Sequence, residues 1–92
     1  VKAVSTETAR LSFIGRLVPP SFAEFCDRRA EKLDLKMAIR SVAADRFTVE
    51  VSGQPDLVDA FEMACSLGPL DCLVLDYERT RLHSISNGEQ ER

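Results

Sequence analysis

Two consecutive prolines, Pro19 and Pro20, stand between a strand-like stretch ending at Gly15-Arg16 and a helical pattern running from Ser21-Phe22. A loop entering a helix N-terminus can hold an anion through free backbone N–H groups and the positive end of the helix dipole. Proline has no N–H to give. The place where this chain would most naturally hold a phosphate has therefore lost two donors. Gly15, Arg16, Val18, Ser21 and Phe22 remain as a candidate anion loop.

On either side of that junction the hydrophobic period switches repeatedly. Residues 9–14 alternate as a strand, with Leu11 and Phe13 on one face and Arg10 and Ser12 on the other. Ser21 and Glu24 form a capping-box pattern that predicts a helix start. Phe22, Phe25, Cys26, Ala30 and Leu33 follow at helical spacing as its buried stripe. Residues 36–42 and 47–51 read as two strands joined by a short turn. Pro55 opens a second helix, with Val58, Phe61, Ala64 and Cys65 inward, and Gly68-Pro69 stops it. A fourth strand is predicted over 72–78, followed by a polar tail whose end is expected to be disordered. The division is an N-terminal extension 1–8, a domain 9–79 and a tail 80–92. Strand, helix, strand, strand, helix, strand is the ferredoxin-like α+β arrangement, an antiparallel sheet with two helices on one face.

The 92 residues allow one small core, and 45% apolar residues make the composition globular. A net charge of −3 argues against nucleic acid, which favours a basic stripe. The nearest such cluster, Arg28, Arg29, Lys32 and Lys36, is broken by Asp27, Glu31 and Asp34 and reads as a solvated helix face. Cys26, Cys65 and Cys72 lie among apolar neighbours without metal-ligand spacing, so reduced packing thiols in the cytoplasm are expected, with no metal, disulfide or cofactor. No apolar run is long enough to span a bilayer, and residues 1–8 lack the apolar stretch of a signal peptide.

In this order of elements, the residues from about Leu11 to Glu78 resemble the acylphosphatase family. Gly15-Arg16 stands where that family has Gly-Arg-Val-Gln-Gly-Val-x-Phe-Arg. Phe22, Phe25, Ala30, Leu33, Leu35, Ile39 and Arg40 then keep its spacing without a gap. Val49-Glu50-Val51, Gly53, Phe61, Gly68-Pro69 and Val74 follow. The resemblance implies a ferredoxin-like fold and hydrolysis of carboxyl-phosphate anhydrides, with loop amides and an arginine holding the phosphate and an asparagine placing the attacking water. Here the arginine position is Ala23 and the asparagine position Ser41. The family's Gln-Gly-Val falls on Val18-Pro19-Pro20, and its hairpin Asp-Gly on Asp45-Arg46. The second-strand glycine and tryptophan become Met37 and Ala38.

Phosphoryl chemistry needs positive charge and oriented donors where oxygens accumulate charge. Ala23 offers neither. Removing one such donor costs on the order of 10²–10³ in rate, so joint loss of the arginine and several amides leaves little activity. Arg16 could still attract an anion, but also reads as a surface arginine at a strand end. Ser41 reads as a strand residue near a turn, and Ser21 as an N-cap with no base beside it to make it a nucleophile. His83 reads as solvated, and Asp56, Asp59 and Glu62 as solvated charges on the second helix.

Three function classes follow: a noncatalytic acylphosphatase-like module for protein interaction or regulation, an acylphosphatase with a rebuilt phosphate loop, and a small-ligand sensor, the last on fold analogy alone. The fourth strand suggests a partner surface. If Cys72 and Val74 face the helices, Leu73, Leu75 and Tyr77 point to the open face of the sheet, near Ile14 on the first strand. Such an apolar patch marks a homodimer or protein interface. Alternatively the segment from Thr80 folds back, with Leu82 and Ile85 covering the patch.

Overall fold

The structure, a computed structural model, describes residues 5–86, with side chains described as far as Leu82. The elements are β1 (Ser5–Arg16), α1 (Pro19–Lys32), β2 (Lys36–Val42), β3 (Arg46–Gly53), α2 (Pro55–Leu67) and β4 (Leu73–Ser86). All strand pairs are antiparallel, in the order β2-β3-β1-β4. Both helices pack on one face. The chain has the predicted ferredoxin-like fold.

The core forms where the inward parity of the strands meets the helix stripes. Ala9, Leu11 and Phe13 of β1 lie opposite Val51, Val49 and Phe47 of β3, and all six are fully buried. Phe22 of α1 stands edge-on to Phe13 and Phe47, with ring centroids 5.4 and 5.0 Å apart. Cys26 of α1 meets Cys65 of α2 with sulfurs 3.5 Å apart, both thiols free and buried among core side chains. The hydrogen bond it donates to Cys26, and then burial, push the Cys65 thiol far up, so it behaves as a small hydrophobe.

α1 begins at Pro19, two residues before the predicted start, because both prolines fit its first turn, where a missing N–H leaves no bond unmade. Val18 is the N-cap, with no side-chain cap bond, so the expected capping box of Ser21 and Glu24 does not form. Glu24 instead pairs with Arg28 at 2.8 Å. At the other end, the N–H of Leu35 donates to Ala30 O at 2.8 Å and that of Asp34 to Glu31 O at 3.1 Å. This is a Schellman closure, with Asp34 at φ +58° where glycine is usual.

β1 and β4 are longer than the sequence pattern predicts. Their ladder runs from Ser5↔Ser86 to Arg16↔Leu73. Residues 80–86 thus continue β4 alongside β1 and do not fold back over the sheet. Leu82 is a bulge residue, 40% exposed. The expectations for the side chains of His83 and Ile85, and for disorder at the chain end, lie outside what is described.

Candidate functional site

The segment leaving β1 is held from three sides. The N–H of Gly15 donates to Asp45 O at 3.2 Å and that of Leu17 to Ala44 O at 2.8 Å, which ties the strand end to the β2–β3 hairpin. The N–H of Val18 points at Cys72 Sγ, 3.3 Å away, just before β4. Of the five residues 17–21, two have their N–H engaged and two are prolines. Only Ser21 keeps a backbone N–H without a partner among the described residues.

The Ser21 side chain is turned outward from that start. Its hydroxyl donates to Asp71 Oδ1 at 2.7 Å. Asp71 comes from the turn between α2 and β4 and places a carboxylate at the N-terminal turn of α1. A fixed negative charge there stabilises the helix dipole and opposes any arriving anion. Phe22 is wholly interior, and Ala23 packs its methyl against the core. Arg16 is exposed and stands opposite Leu73 at the end of the ladder, with no side-chain partner among the described residues. By alternation along β1 it shares the parity of Ser12 and Ile14, on the face away from α1. Ser41 pairs with Thr48, after a bulge at Arg40. Thr48 shares a hydroxyl–hydroxyl bond of 2.9 Å with Ser12, so Ser41 also belongs to the open face. Arg16 and Ser41 therefore do not converge with Ala23.

Gly15 is required by close approach. A Cβ there would lie 2.0 Å from Leu73 O and 2.9 Å from Leu75 N, both backbone atoms. The same contact makes a β-bulge. Gly15 pairs with Val74 and Ile14 with Asp76, leaving Leu75 as the extra residue. Beyond it the parity of β4 is reversed. Tyr77 stands opposite Phe13 on the helix side, ring centroids 6.1 Å apart, and the Glu62 carboxylate beside it pushes its phenol up.

The expected apolar patch is thus divided. Ile14 and Leu73 keep to the open face, Leu75 sits in the bulge, and Tyr77 is on the other side. Much of the rest of the open face is polar or charged. Arg10 and Arg40 hold Glu50 at 3.0 and 3.2 Å, and Arg46 holds Glu78 at 2.8 Å. Hydrogen bonds from Arg10 and then Arg40 keep the Glu50 carboxyl below its usual range.

On the helix side, Arg79 meets three carboxylates: Glu7 at 2.5 Å, Glu62 at 2.6 Å and Asp59 at 2.7 Å. Asp59 and Glu62 are therefore ion-pair partners and not merely solvated. Their hydrogen bonds, with that of Glu7, outweigh desolvation and hold the guanidinium above its ordinary range. Arg79 and Asp71 both escaped the sequence reading. Their partners lie 17 to 72 residues away, and no local pattern marks them. No group of acidic, histidine or cysteine residues among the described residues could hold a metal ion.

Neither a family model nor a curated protein matches the sequence. Solved structures do match the fold. An acylphosphatase from Coxiella burnetii superposes with a TM-score of 0.78 at 15% identity, over 86% of this chain and 83% of its own. An acylphosphatase from Bacillus subtilis gives 0.77 at 22% identity, over 86% and 88%. Full-length HypF, in its phosphate- and nucleotide-bound form, gives 0.72 at 18% identity, over 84% of this chain and 10% of its own. The chain has the acylphosphatase fold. At these identities the likeness concerns architecture alone, and the acylphosphatase fold here carries a loop in which, over residues 17–21, Ser21 alone keeps a backbone N–H without a partner among the described residues.

Proposed function

We propose that this acylphosphatase-fold domain is noncatalytic and works as a protein-interaction or regulatory module. The observation that carries the reading is the closed loop between β1 and α1. The N–H groups of Gly15, Leu17 and Val18 are engaged, Pro19 and Pro20 have none, and the Asp71 carboxylate stands at the helix start through Ser21. Ala23 and Ser41, the positions where the resemblance puts an arginine and an asparagine, bring no charge and lie on opposite sides of the sheet. A transferring phosphoryl group would meet a carboxylate and few donors, the reverse of what its transition state requires. Three buried free thiols favour a reducing compartment such as the cytoplasm.

Purified protein incubated with benzoyl phosphate tests the reading, with the uncatalysed reaction as reference. The expected result is hydrolysis at the background rate, and no saturable phosphate-induced amide shifts over residues 15–23. Turnover of order one per second, abolished by Arg16→Ala, would establish an acylphosphatase with a rebuilt loop.

A further inference from the structure

α2 is apolar on two sides. Val58, Phe61 and Cys65 are buried, while Ala60, Met63 and Leu67 are exposed on the opposite face. Met63 is 68% and Leu67 77% exposed, and Leu70, in the turn that follows, is fully exposed. Spacings of three and four residues align positions 60, 63 and 67 in one stripe. α1 does not share this property: its exposed residues include Glu24, Asp27, Arg28, Glu31 and Lys32, an ordinary solvated face. A helix apolar on both sides is the pattern of one covered on both sides.

The charge around the stripe says what kind of surface covers it. α2 contains no lysine, arginine or histidine, and its charged residues are Asp56, Asp59 and Glu62. No basic residue in its last turn offsets the negative end of the helix dipole. The cation facing Asp59 and Glu62 is Arg79, which is shared with Glu7. Three carboxylates to one guanidinium leaves the helix negative. In a two-fold pairing of α2 with itself, one acidic helix would meet another, with no lysine, arginine or histidine on either to offset the repulsion. A partner bringing positive charge fits.

We propose that the outer face of α2, with Ala60, Met63 and Leu67 extended by Leu70, docks an amphipathic helix of a partner protein that carries lysine or arginine beside its apolar stripe. The proposal rests on the noncatalytic reading and gives the module its docking face. Leucines of the partner would pack between Met63 and Leu67 in the manner of helix-on-helix recognition. Its cations would meet Asp56, Asp59 and the C-terminal carbonyls of α2.

The test is a titration of the isotope-labelled full chain with a synthetic helical peptide of about 18 residues, five turns. It has leucine at helical i, i+3, i+4 positions and lysine elsewhere; a glutamate-for-lysine peptide is the control. Amide shifts are expected on α2 and residues 68–71, with no binding of the glutamate peptide. Met63→Glu and Leu67→Glu, at solvent positions and so folded by circular dichroism, should weaken binding at least about tenfold, as truncation of an interface anchor does. Absence of binding by the lysine peptide, shifts on another face, or unchanged affinity in both variants would overturn the proposal. So would a wild-type dimer in light scattering that Leu67→Glu dissolves, since the face would then belong to a second copy. Benzoyl phosphate turnover on the same sample separates the two ideas: turnover refutes the noncatalytic reading without touching the docking result.

Discussion

Replacing Arg79 by methionine removes the one cation from a group of three carboxylates while keeping most of the side-chain volume. The Glu7 side chain is 8% exposed and that of Glu62 17%, so water cannot take over the role of the guanidinium. Removing one partner of a buried pair costs about 3–5 kcal/mol, because a desolvated charge is left behind. Arg79 is itself 25% exposed, which places the expected loss at the lower end, about 3 kcal/mol. For a domain of this size that is a fall in Tm of roughly 12–24 °C. Adding Glu7→Gln should restore most of the stability, to within about 1 kcal/mol of wild type, because an amide is far less costly to bury than a carboxylate. Urea unfolding at pH 7, for wild type, Arg79→Met and the double variant, measures both changes. A loss under about 1 kcal/mol in Arg79→Met would show the cluster to be worth no more than a surface ion pair and refute the reasoning.

Asp34→Gly should stabilise the fold by about 0.5–1 kcal/mol in denaturant titration, since φ +58° strains a side chain that glycine lacks. Gly15→Ala should lower the urea midpoint severely, because its Cβ meets backbone atoms of β4 that no rotamer change can move. Cys26, Cys65 and Cys72 should react with a thiol reagent only as fast as the chain opens. Burial chiefly pushes the Cys72 thiol up, and rapid labelling of any of the three in native buffer would contradict its placement.

The element order was legible in the sequence because period-2 and period-3.6 patterns are local, and Pro19-Pro20, Pro55 and Gly68-Pro69 punctuate them. β2 begins and ends where its pattern does, at Lys36 and Val42. β1 and β4 outran their patterns because pairing with each other supplies the hydrogen bonds that a polar sequence such as Thr80-Arg81 does not advertise. The amino acids also sufficed to show that Pro19 and Pro20 withhold two donors. That the rest of the loop is closed was not readable, since the carbonyls of Ala44 and Asp45, the Cys72 sulfur and the Asp71 carboxylate reach it from distant parts of the chain.

The sharpest divide is at Leu75. Strict alternation puts Leu73, Leu75 and Tyr77 on one face, and the sequence by itself holds nothing against it. The close approach of Gly15 to Leu73 makes Leu75 an extra residue in the ladder, and a one-residue slip reverses every side chain beyond it. Tyr77 and Arg79 are thereby delivered to the helix side, where Phe13, Glu62 and Glu7 meet them. The sequence determined which residues alternate; the pairing of two strands sixty residues apart decided which way they face, because register belongs to the pair and to neither strand alone.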